Sequence, residues 1–216
     1  MSILEADSIN LSFGPRKILS NVYLQCKRGD VVGIIGRNGS GKSSLMKLIF
    51  GTLRGENQSI RVNRQYVDQL YKKPEMINYL PQDSFLMNYL TVKQVSRIFD
   101  AEQIVNIEIL KPHINNRIGE LSGGLKKLIE IFTMLYMQSK FVLLDEPFSF
   151  LSPVFVEEVS THIKLQSRKK GIMLTDHQYQ SVWGVANKYY ILYDGILREI
   201  YQLDELEQYG YLSNKS

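Results

Sequence analysis

The sequence contains a single cysteine, no long apolar run and no leader-like start. Cys26 is the only cysteine among 216 residues, so a disulfide within the chain is excluded and a reducing compartment is expected. No stretch reaches the ~18 uninterrupted apolar residues that a membrane-spanning helix needs. The opening MSILEADSIN lacks the basic and long apolar regions of a secretory signal. We therefore expect any role at a membrane to require a separate partner.

Charge and composition exclude few further classes of protein. The 26 basic and 22 acidic residues leave a net charge of +4, and 44% of the residues are hydrophobic. These values are ordinary for a soluble globular protein. A mildly basic chain suits a phosphate-bearing ligand or an anionic surface, but most such chains are simply soluble. The length fits one domain with a sizeable core, into which a lobe could be inserted.

Short apolar runs alternate with helical patterns along most of the chain. Three of these runs read as buried strands: VVGIIG (31–36), FVLL (141–144) and GIMLTD (171–176). Segments with apolar residues at helical spacing lie between them, the longest at 122–140. Continuous apolar strands alternating with helices are typical of a parallel sheet covered on both faces. We therefore predict an α/β fold with a mainly parallel sheet.

Two further parts of the chain have a strand pattern of another kind. The first ~25 residues and residues 58–67 are more polar and alternate in polarity, which predicts an antiparallel β flank. Asp194-Gly195, within KYYILYDGILREI, is a hairpin signal. The antiparallel flank therefore adjoins the parallel core in the predicted fold.

A change of pattern between Pro81 and Glu120 predicts an inserted lobe. Residues 90–110 look helical, with Thr91 as a plausible N-cap. The predicted organisation is a single domain over 1–216, whose parts are a core of 1–83 and 120–205, a small helical lobe at 84–119 and a short C-terminal tail at 206–216.

Residues 36–43, GRNGSGKS, match the pattern G-x-x-x-x-G-K-[ST] between a predicted strand and a predicted helix. Glycines let the backbone wrap a phosphate, with N–H groups directed inward at a helix N-terminus. Lys42 is expected to hold the β- and γ-phosphates, and the Ser43 hydroxyl to reach Mg²⁺. The strand–loop–helix context disfavours a plain glycine-rich turn, so the sequence predicts a nucleoside triphosphate site on a P-loop NTPase core.

Two adjacent carboxylates, Asp145 and Glu146, end the apolar run FVLL. Ligands of parallel sheets bind at the carboxyl ends of the strands, where the glycine loop also lies. There Asp145 can hold Mg²⁺ through its water shell, and Glu146 can polarise an attacking water. A solvated strand end is the alternative, and the neighbouring glycine loop argues against it.

ELSGGLKK offers a second phosphate-binding position. Ser122, Gly123 and Gly124 open a long apolar helix, whose free N–H groups and dipole favour an anion. A plain N-cap serine followed by flexible glycines is the alternative for this motif alone. Lys126 and Lys127 are most simply a solvated helix face.

Taken in order, the motifs resemble those of the ATP-binding subunit of ABC transporters. They are the phosphate loop GRNGSGKS, LPQ with Gln82 as the Q-loop, the signature LSGGL, the Walker B run FVLLDEP, and LTDH with His177. The resemblance covers almost the whole chain and implies ATP and Mg²⁺ as ligands.

The resemblance also implies a role for each matching residue. Catalysis falls to Glu146, His177, Gln82 and Lys42. Mg²⁺ binding falls to Ser43, Gln82 and Asp145. Nucleotide binding falls to Phe13, Gly36, Asn38, Gly39, Ser40, Gly41, Lys42, Ser43, Ser44, Ser122, Gly123 and Gly124. Phe13 would stack on adenine, although a core position is the alternative. Gln82 could be a plain loop glutamine, and His177 could merely cap the next helix.

The family implies partners as well. Two identical or related subunits stack head to tail, and each ATP lies between one phosphate loop and the other subunit's signature. Integral membrane subunits would dock in a groove near SFLMNYL (84–90), whose residues could instead form the core of the lobe. The expected location is cytoplasmic, on the inner face of the cell membrane, and no nucleic-acid partner is expected.

Two positions depart from the family's pattern. The signature usually ends in Gln, where this chain has Leu125. The D-loop, which is SFLS (149–152) in this chain, usually ends in Asp, where this chain has Ser152. Both positions act on the partner's nucleotide, so we expect hydrolysis that is slowed or differently coupled. A soluble ABC-type ATPase without a transport role, and a nucleotide-binding subunit with weak hydrolysis, remain alternatives. A GTPase is disfavoured because Asn187-Lys188 is followed by tyrosines rather than by the x-Asp of a guanine-reading motif.

Overall fold

A computed structural model describes residues 2–211 of the chain. Met1 of the predicted core and residues 212–216 of the predicted tail lie outside the described residues. No helix within 2–211 combines the length and the apolar character needed to cross a membrane.

The described residues form strands and α-helices in alternation, joined by short 3₁₀ turns. The strands are β1 (Ile3–Phe13), β2 (Arg16–Lys27), β3 (Val31–Ile35), β4 (Asn57–Val62), β5 (Gln65–Tyr66), β6 (Ile77–Leu80), β7 (Phe141–Asp145), β8 (Gly171–Asp176), β9 (Lys188–Tyr193) and β10 (Ile196–Ile200). The helices are α1 (Lys42–Phe50), α2 (Val92–Ile98), α3 (Gly123–Tyr136), α4 (Pro153–Ser167) and α5 (Tyr179–Val185). The 3₁₀ turns cover Leu70–Lys72, Glu102–Asn106, Lys111–His113, Ile118–Glu120 and Leu203–Tyr209.

The main sheet has six strands in the order β10-β9-β3-β8-β7-β6. Every neighbouring pair is parallel except β9 and β10, which form the predicted hairpin. Asp194 and Gly195 at its turn have φ angles of 48° and 76°, as expected for a two-residue hairpin loop. The predicted α/β fold with a mainly parallel sheet is therefore confirmed. Strand β6 has only four residues and was not predicted from the sequence.

Apolar cores cover both faces of this sheet. In β3, Val31 and Ile35 pack into the core formed with α2 to α5, whereas Val32 and Ile34 face the core formed with α1 and the second sheet. Because both faces are covered, the strand is apolar at successive positions rather than at alternate ones.

The second sheet is antiparallel, with the order β2-β1-β4-β5. It confirms the antiparallel flank that residues 1–25 and 58–67 predict. Alternation of buried and exposed residues along β4 fits one packed and one solvated face.

The segment between β6 and α3 contains less α-helix than the sequence predicts. Thr91 caps α2 as expected, since its side chain accepts a hydrogen bond from the Gln94 N–H. However, α2 ends at Ile98, and Asp100 adopts a left-handed φ of 48°. The following residues up to 113 form 3₁₀ turns, so the prediction of helix over 90–110 is wrong beyond α2. Closely spaced β-branched residues, such as Ile104, Val105 and Ile107, disfavour a continuous helix there.

The order of the strands brings the predicted site residues together. β3, β8, β7 and β6 are successive neighbours and run in the same direction. Their carboxyl ends lead into Gly36, His177, Glu146 and Gln82 respectively. One edge of the sheet thus carries the glycine loop, both carboxylates, the glutamine and the histidine.

Candidate active site

The glycine loop joins β3 to α1 and depends on glycine at several positions. Gly39 and Gly41 have φ angles of 76° and 106°, which L side chains rarely adopt. A Cβ on Gly41 would lie 2.8 Å from Ile18 Cγ2, and one on Gly36 would lie 2.6 Å from Ser40 Oγ. The Ser40 hydroxyl is buried and has no hydrogen-bond partner within residues 2–211. The loop therefore forms a tight backbone cradle that carries an unsatisfied polar atom.

Lys42 lies at the start of α1 and is buried. Its ammonium donates to the carbonyl oxygens of Gly36 (2.7 Å) and Arg37 (3.1 Å), and lies 3.9 Å from Glu146 Oε1. Burial lowers the pKa of Lys42, and the nearby carboxylates of Glu146 and Asp145 oppose that shift. The positive charge is therefore held against the loop, beside an acidic strand end.

Three neutral hydroxyl groups hold the fully buried carboxylate of Asp145. Oδ1 accepts hydrogen bonds from Ser43 Oγ (3.1 Å) and Thr175 Oγ1 (2.7 Å), and Oδ2 accepts one from the Tyr79 hydroxyl (3.1 Å). Burial, together with the charge of Asp145, raises the pKa of Tyr79, so its hydroxyl stays protonated and donates. These donors fix the carboxylate without neutralising it, which leaves its charge available to a cation.

Glu146 directs its carboxylate into the same region from a left-handed backbone conformation, with φ 49°. Its amide donates to Thr175 O at 2.8 Å. Oε2 accepts from Gln82 Nε2 (3.2 Å) and from Ser149 Oγ (3.3 Å). The backbone and these side chains together fix the position of the carboxylate.

His177 lies between two acidic groups and is partly exposed. Its Nδ1 is 3.8 Å from Glu146 Oε2 and 3.4 Å from Asp176 Oδ1. The Asp176 carboxylate also accepts from the amides of Phe148 (3.1 Å) and Gln178 (2.9 Å). Burial raises the pKa of Asp176, and these backbone hydrogen bonds act in the opposite direction. Asp176 thereby links Phe148, which immediately precedes the D-loop, to the turn that carries His177.

A cleft of about 460 Å³ opens beside the glycine loop. Its lining residues are Phe13, Arg16, Ile18, Asn38, Gly39, Gly41, Lys42, Ser43, Ser44, Gln82 and Glu146. Phe13 is 54% exposed, so the alternative of a core position for this side chain is wrong. The cleft therefore combines an accessible aromatic ring, a phosphate-type cradle and a fixed carboxylate.

The signature residues lie at the N-terminus of α3, outside the cleft beside the glycine loop. Ser122 caps α3, and its Oγ accepts from the Leu125 N–H at 3.3 Å. A Cβ on Gly123 would meet nothing within 4 Å, whereas one on Gly124 would lie 3.2 Å from the Phe155 ring. Ser122, Gly123 and Gly124 do not line the 460 Å³ cleft of the same chain. Gly123 instead lines a neighbouring cleft of about 240 Å³.

Phe150 and Ser152 of the D-loop are both exposed. Phe150 has a left-handed φ of 65° and is 93% exposed. Ser152 caps α4, with its Oγ accepting from the Phe155 N–H at 3.5 Å. Leu125 is half-buried and packs against the core cluster around α3.

Sequence reasoning missed several supporting residues. Tyr79 belongs to no motif, and the motifs that contain Thr175 and Ser149 assign them no role, yet each of the three donates to a central carboxylate. The expectation of a solvated Lys127 is wrong. This side chain is half-buried, its Nζ donates to Gln82 O at 3.4 Å, and burial lowers its pKa.

Comparison with known proteins identifies the family. The family described as ABC transporter matches residues 19–149. The lipopolysaccharide export system ATP-binding protein LptB of Haemophilus influenzae is 30% identical over 211 residues, covering 89% of this chain and 87% of that protein. An ABC transporter ATP-binding protein of Rhizobium meliloti is 29% identical over 209 residues, covering 89% and 77% of the two chains.

The fold agrees with these sequence relationships. A solved nucleotide-free ATP-binding cassette from an ABC transporter superposes with a TM-score of 0.82 at 24% identity, covering 96% of this chain and 94% of that one. The chain therefore belongs to the ABC transporter family, as an ATP-binding subunit that hydrolyses ATP to power transport through membrane components.

Proposed function

We propose that two copies of this chain, or one copy and a related subunit, bind ATP with Mg²⁺ between them and hydrolyse it. The observation that carries the proposal is the convergence of Lys42, Glu146 and Gln82 at one cleft, while the signature helix end lies outside that cleft. The buried Asp145 joins this group through its hydrogen bond with Ser43, which lines the cleft. A site of this kind is complete on its nucleotide side and open on the side that a second subunit would cover.

The glycine loop would bind the triphosphate. Its backbone N–H groups and the positive end of α1 favour phosphate oxygens. Lys42 would exchange its carbonyl partners for the β- and γ-phosphates, and Phe13 at the cleft rim would stack on adenine. Gly36, Asn38, Gly39, Ser40, Gly41 and Ser44 would complete the nucleotide-binding residues on this side of the site, and Ser122, Gly123 and Gly124 would bind the nucleotide of the partner.

The residues at the end of β7 fit a magnesium ion. Mg²⁺ prefers oxygen ligands and takes few of them from protein when it binds a nucleotide. The Ser43 hydroxyl lies 3.1 Å from the fixed Asp145 carboxylate, and Gln82 supplies an amide oxygen close by. When bound, the ion would neutralise charge on the β- and γ-phosphates.

Glu146 would polarise the water that attacks the γ-phosphate. Its fixed carboxylate faces the cleft, and Gln82 is hydrogen-bonded to it. His177, at 3.8 Å from the same carboxylate, would contact the γ-phosphate and keep the water and carboxylate aligned. Each of these groups acts through orientation and charge, as expected for phosphoryl transfer.

The N-terminus of α3 would cap the γ-phosphate bound to the partner. Ser122 and Gly123 are exposed, and Gly123 leaves open space for an approaching anion. The first-turn N–H groups and the helix dipole provide the attraction. The second subunit therefore supplies part of each active site.

Membrane subunits would contact the lobe, which we place at 84–119 between the core segments 1–83 and 120–205. Met87 and Tyr89 are exposed there, at 55% and 68%, and follow Gln82 closely in sequence. Aromatic and methionine side chains are well suited to protein interfaces. The proposed location is the cytoplasmic face of the cell membrane, with the chain held by these partners and no nucleic acid bound.

Steady-state turnover of ATP with Mg²⁺ by the full chain tests the proposal, with Lys42→Ala as the reference for lost activity. Wild-type turnover should exceed that of the variant by at least about 100-fold, because the lysine contacts the transferred phosphoryl group. Equal rates for the two proteins would refute hydrolysis at this site.

A further inference from the structure

Glu130 is a buried carboxylate that the nucleotide chemistry leaves unused. It lies in the middle of α3 and is 1% exposed, and it forms no ion pair within residues 2–211. Its neighbours Ile129 and Ile131 are fully buried apolar residues. A carboxylate in such surroundings is costly unless hydrogen bonds compensate it.

Its hydrogen-bond partners lie just after the Q-loop glutamine. Glu130 Oε1 accepts from the Ser84 hydroxyl and from the Phe85 N–H, the latter at 3.1 Å. Both partners are about 45 residues distant in the sequence, so the contact joins two separate elements. These two hydrogen bonds of the Glu130 side chain are not part of the hydrogen bonding within α3.

Lys127 makes a second connection from the same helix. It precedes Glu130 by three residues, which places both on one face of α3. Its Nζ donates to the Gln82 carbonyl oxygen at 3.4 Å. The helix therefore contacts the backbone at 82–85 from two side chains, immediately beside the Gln82 amide that bonds to Glu146.

We propose that Glu130 is a positioning residue for hydrolysis, which holds the Q-loop so that Gln82 reaches Glu146. This inference rests on the proposed roles of Gln82 and Glu146. The same helix carries the signature at its N-terminus, so a displacement of α3 by the partner's nucleotide would move the Q-loop of its own subunit. The two ATP sites of a dimer would thereby be connected through α3 of each subunit.

Two alternatives predict different behaviour. If Glu130 only stabilises the fold, its loss lowers stability without a selective effect on the catalytic step. If it is a positioning residue, the loss lowers kcat while ATP affinity and KM stay close to wild type, because the phosphate cradle is untouched. A displacement of about 1 Å in a catalytic arrangement can cost up to ~100-fold in rate.

The variants Glu130→Ala, Glu130→Gln and Ser84→Ala separate these alternatives. The amide of Glu130→Gln keeps an oxygen that can accept from Phe85, so it should restore most of the activity that Glu130→Ala loses. Ser84→Ala removes one donor with little risk to folding. Thr133→Val is the matched control, because the buried Thr133 hydroxyl on α3 donates only to Ile129 O of its own helix.

We expect Glu130→Ala to lower kcat by about 10-fold with KM changed less than twofold. Ser84→Ala should lower kcat by about two- to threefold, and its effect should not add to that of Glu130→Ala, since Glu130→Ala already removes the contact with Ser84. Thr133→Val should keep the wild-type kcat. Hydrogen exchange of the Phe85 amide, measured on the full chain without nucleotide, should accelerate in Glu130→Ala and stay unchanged in Thr133→Val.

Wild-type kcat in folded Glu130→Ala, a parallel loss of ATP affinity, or unchanged exchange at Phe85 would each overturn the inference. If Glu130→Ala does not fold, wild-type kcat in Ser84→Ala overturns it instead. Equal turnover of wild type and Lys42→Ala would mark failure of the proposed function, and the Phe85 amide would still report on the Glu130 contact.

Discussion

Ser152 combines a structural role with a position at the proposed interface. It caps α4 and stands where the family's D-loop usually has aspartate. Serine and aspartate are both good N-caps, whereas alanine is a poor one. Replacement by aspartate therefore keeps the helix cap and changes only the charge offered to the partner.

We expect Ser152→Ala to lower the free energy of unfolding by about 1 kcal/mol, and Ser152→Asp to leave it unchanged or raise it slightly. Because Ser152→Asp restores the charge that the family uses at this position, its ATP turnover should rise severalfold. Urea unfolding and steady-state ATPase assays measure the two effects separately. An unchanged turnover in Ser152→Asp would contradict the expectation that serine at this position slows hydrolysis.

At the scale of elements, α3 has a buried cation at its C-terminal end, opposite the anion site proposed at its N-terminus. Its N-terminus is the proposed anion site, and its C-terminal carbonyl groups face a buried lysine. Lys170 Nζ donates to Leu135 O and Met137 O, both at 2.7 Å. A cation at this end complements the helix dipole. Burial nevertheless lowers the pKa of Lys170 to about 8.

This shift predicts how stability depends on pH. Between pH 8 and the ordinary lysine pKa of 10.5, the unfolded chain binds more protons than the folded chain at this residue. The contribution of Lys170 to the free energy of unfolding should therefore rise with pH across that window, by up to about 3 kcal/mol.

The difference in unfolding free energy between wild type and Lys170→Met isolates this contribution, because all other titrating groups are common to both proteins. Urea unfolding from pH 7.5 to 10.5 should show wild type gaining stability relative to the variant. A flat or falling difference would contradict the lowered pKa.

At the scale of the whole molecule, local patterns predict those features that depend on nearby residues. The glycine loop, the N-cap at Thr91 and the Asp194-Gly195 turn each depend on residues a few positions apart, and the sequence identifies all three. Continuous apolar strands likewise predict the buried parallel sheet. Such signals depend on backbone conformation and burial, which act over short stretches.

Features that depend on distant partners could not be predicted. Tyr79 and Thr175 bind Asp145 from 66 and 30 residues away, and neither residue type signals such a contact. In the sequence, Lys127 has the pattern of an ordinary surface lysine. Only the fold shows that its side chain lies beside the Q-loop. The length of α2 depends on the left-handed Asp100 and on packing of the following apolar residues, which periodicity alone does not show.

The exposed Phe150 bears on assembly. This D-loop side chain is 93% exposed and lines the same small cleft as Gly123 of the signature, where the proposed partner would cover it. Burying one phenylalanine side chain contributes roughly 1.5–3 kcal/mol, and 1.4 kcal/mol corresponds to about tenfold in affinity. Loss of this side chain should therefore weaken the dimer without affecting the fold of each copy.

The Glu146→Gln background allows this effect to be measured, because it should bind ATP without hydrolysing it and so accumulate the ATP-bound dimer. Sedimentation with ATP and Mg²⁺ should show that Glu146→Gln/Phe150→Ser needs at least about tenfold more protein to reach the same dimer fraction. Tyr66→Ser in the same background is the matched control, since Tyr66 is also exposed but lies on edge strand β5. A persistent monomer in Glu146→Gln would argue against the shared site itself, whereas equal dimerisation of all three proteins would exclude only Phe150 from the interface.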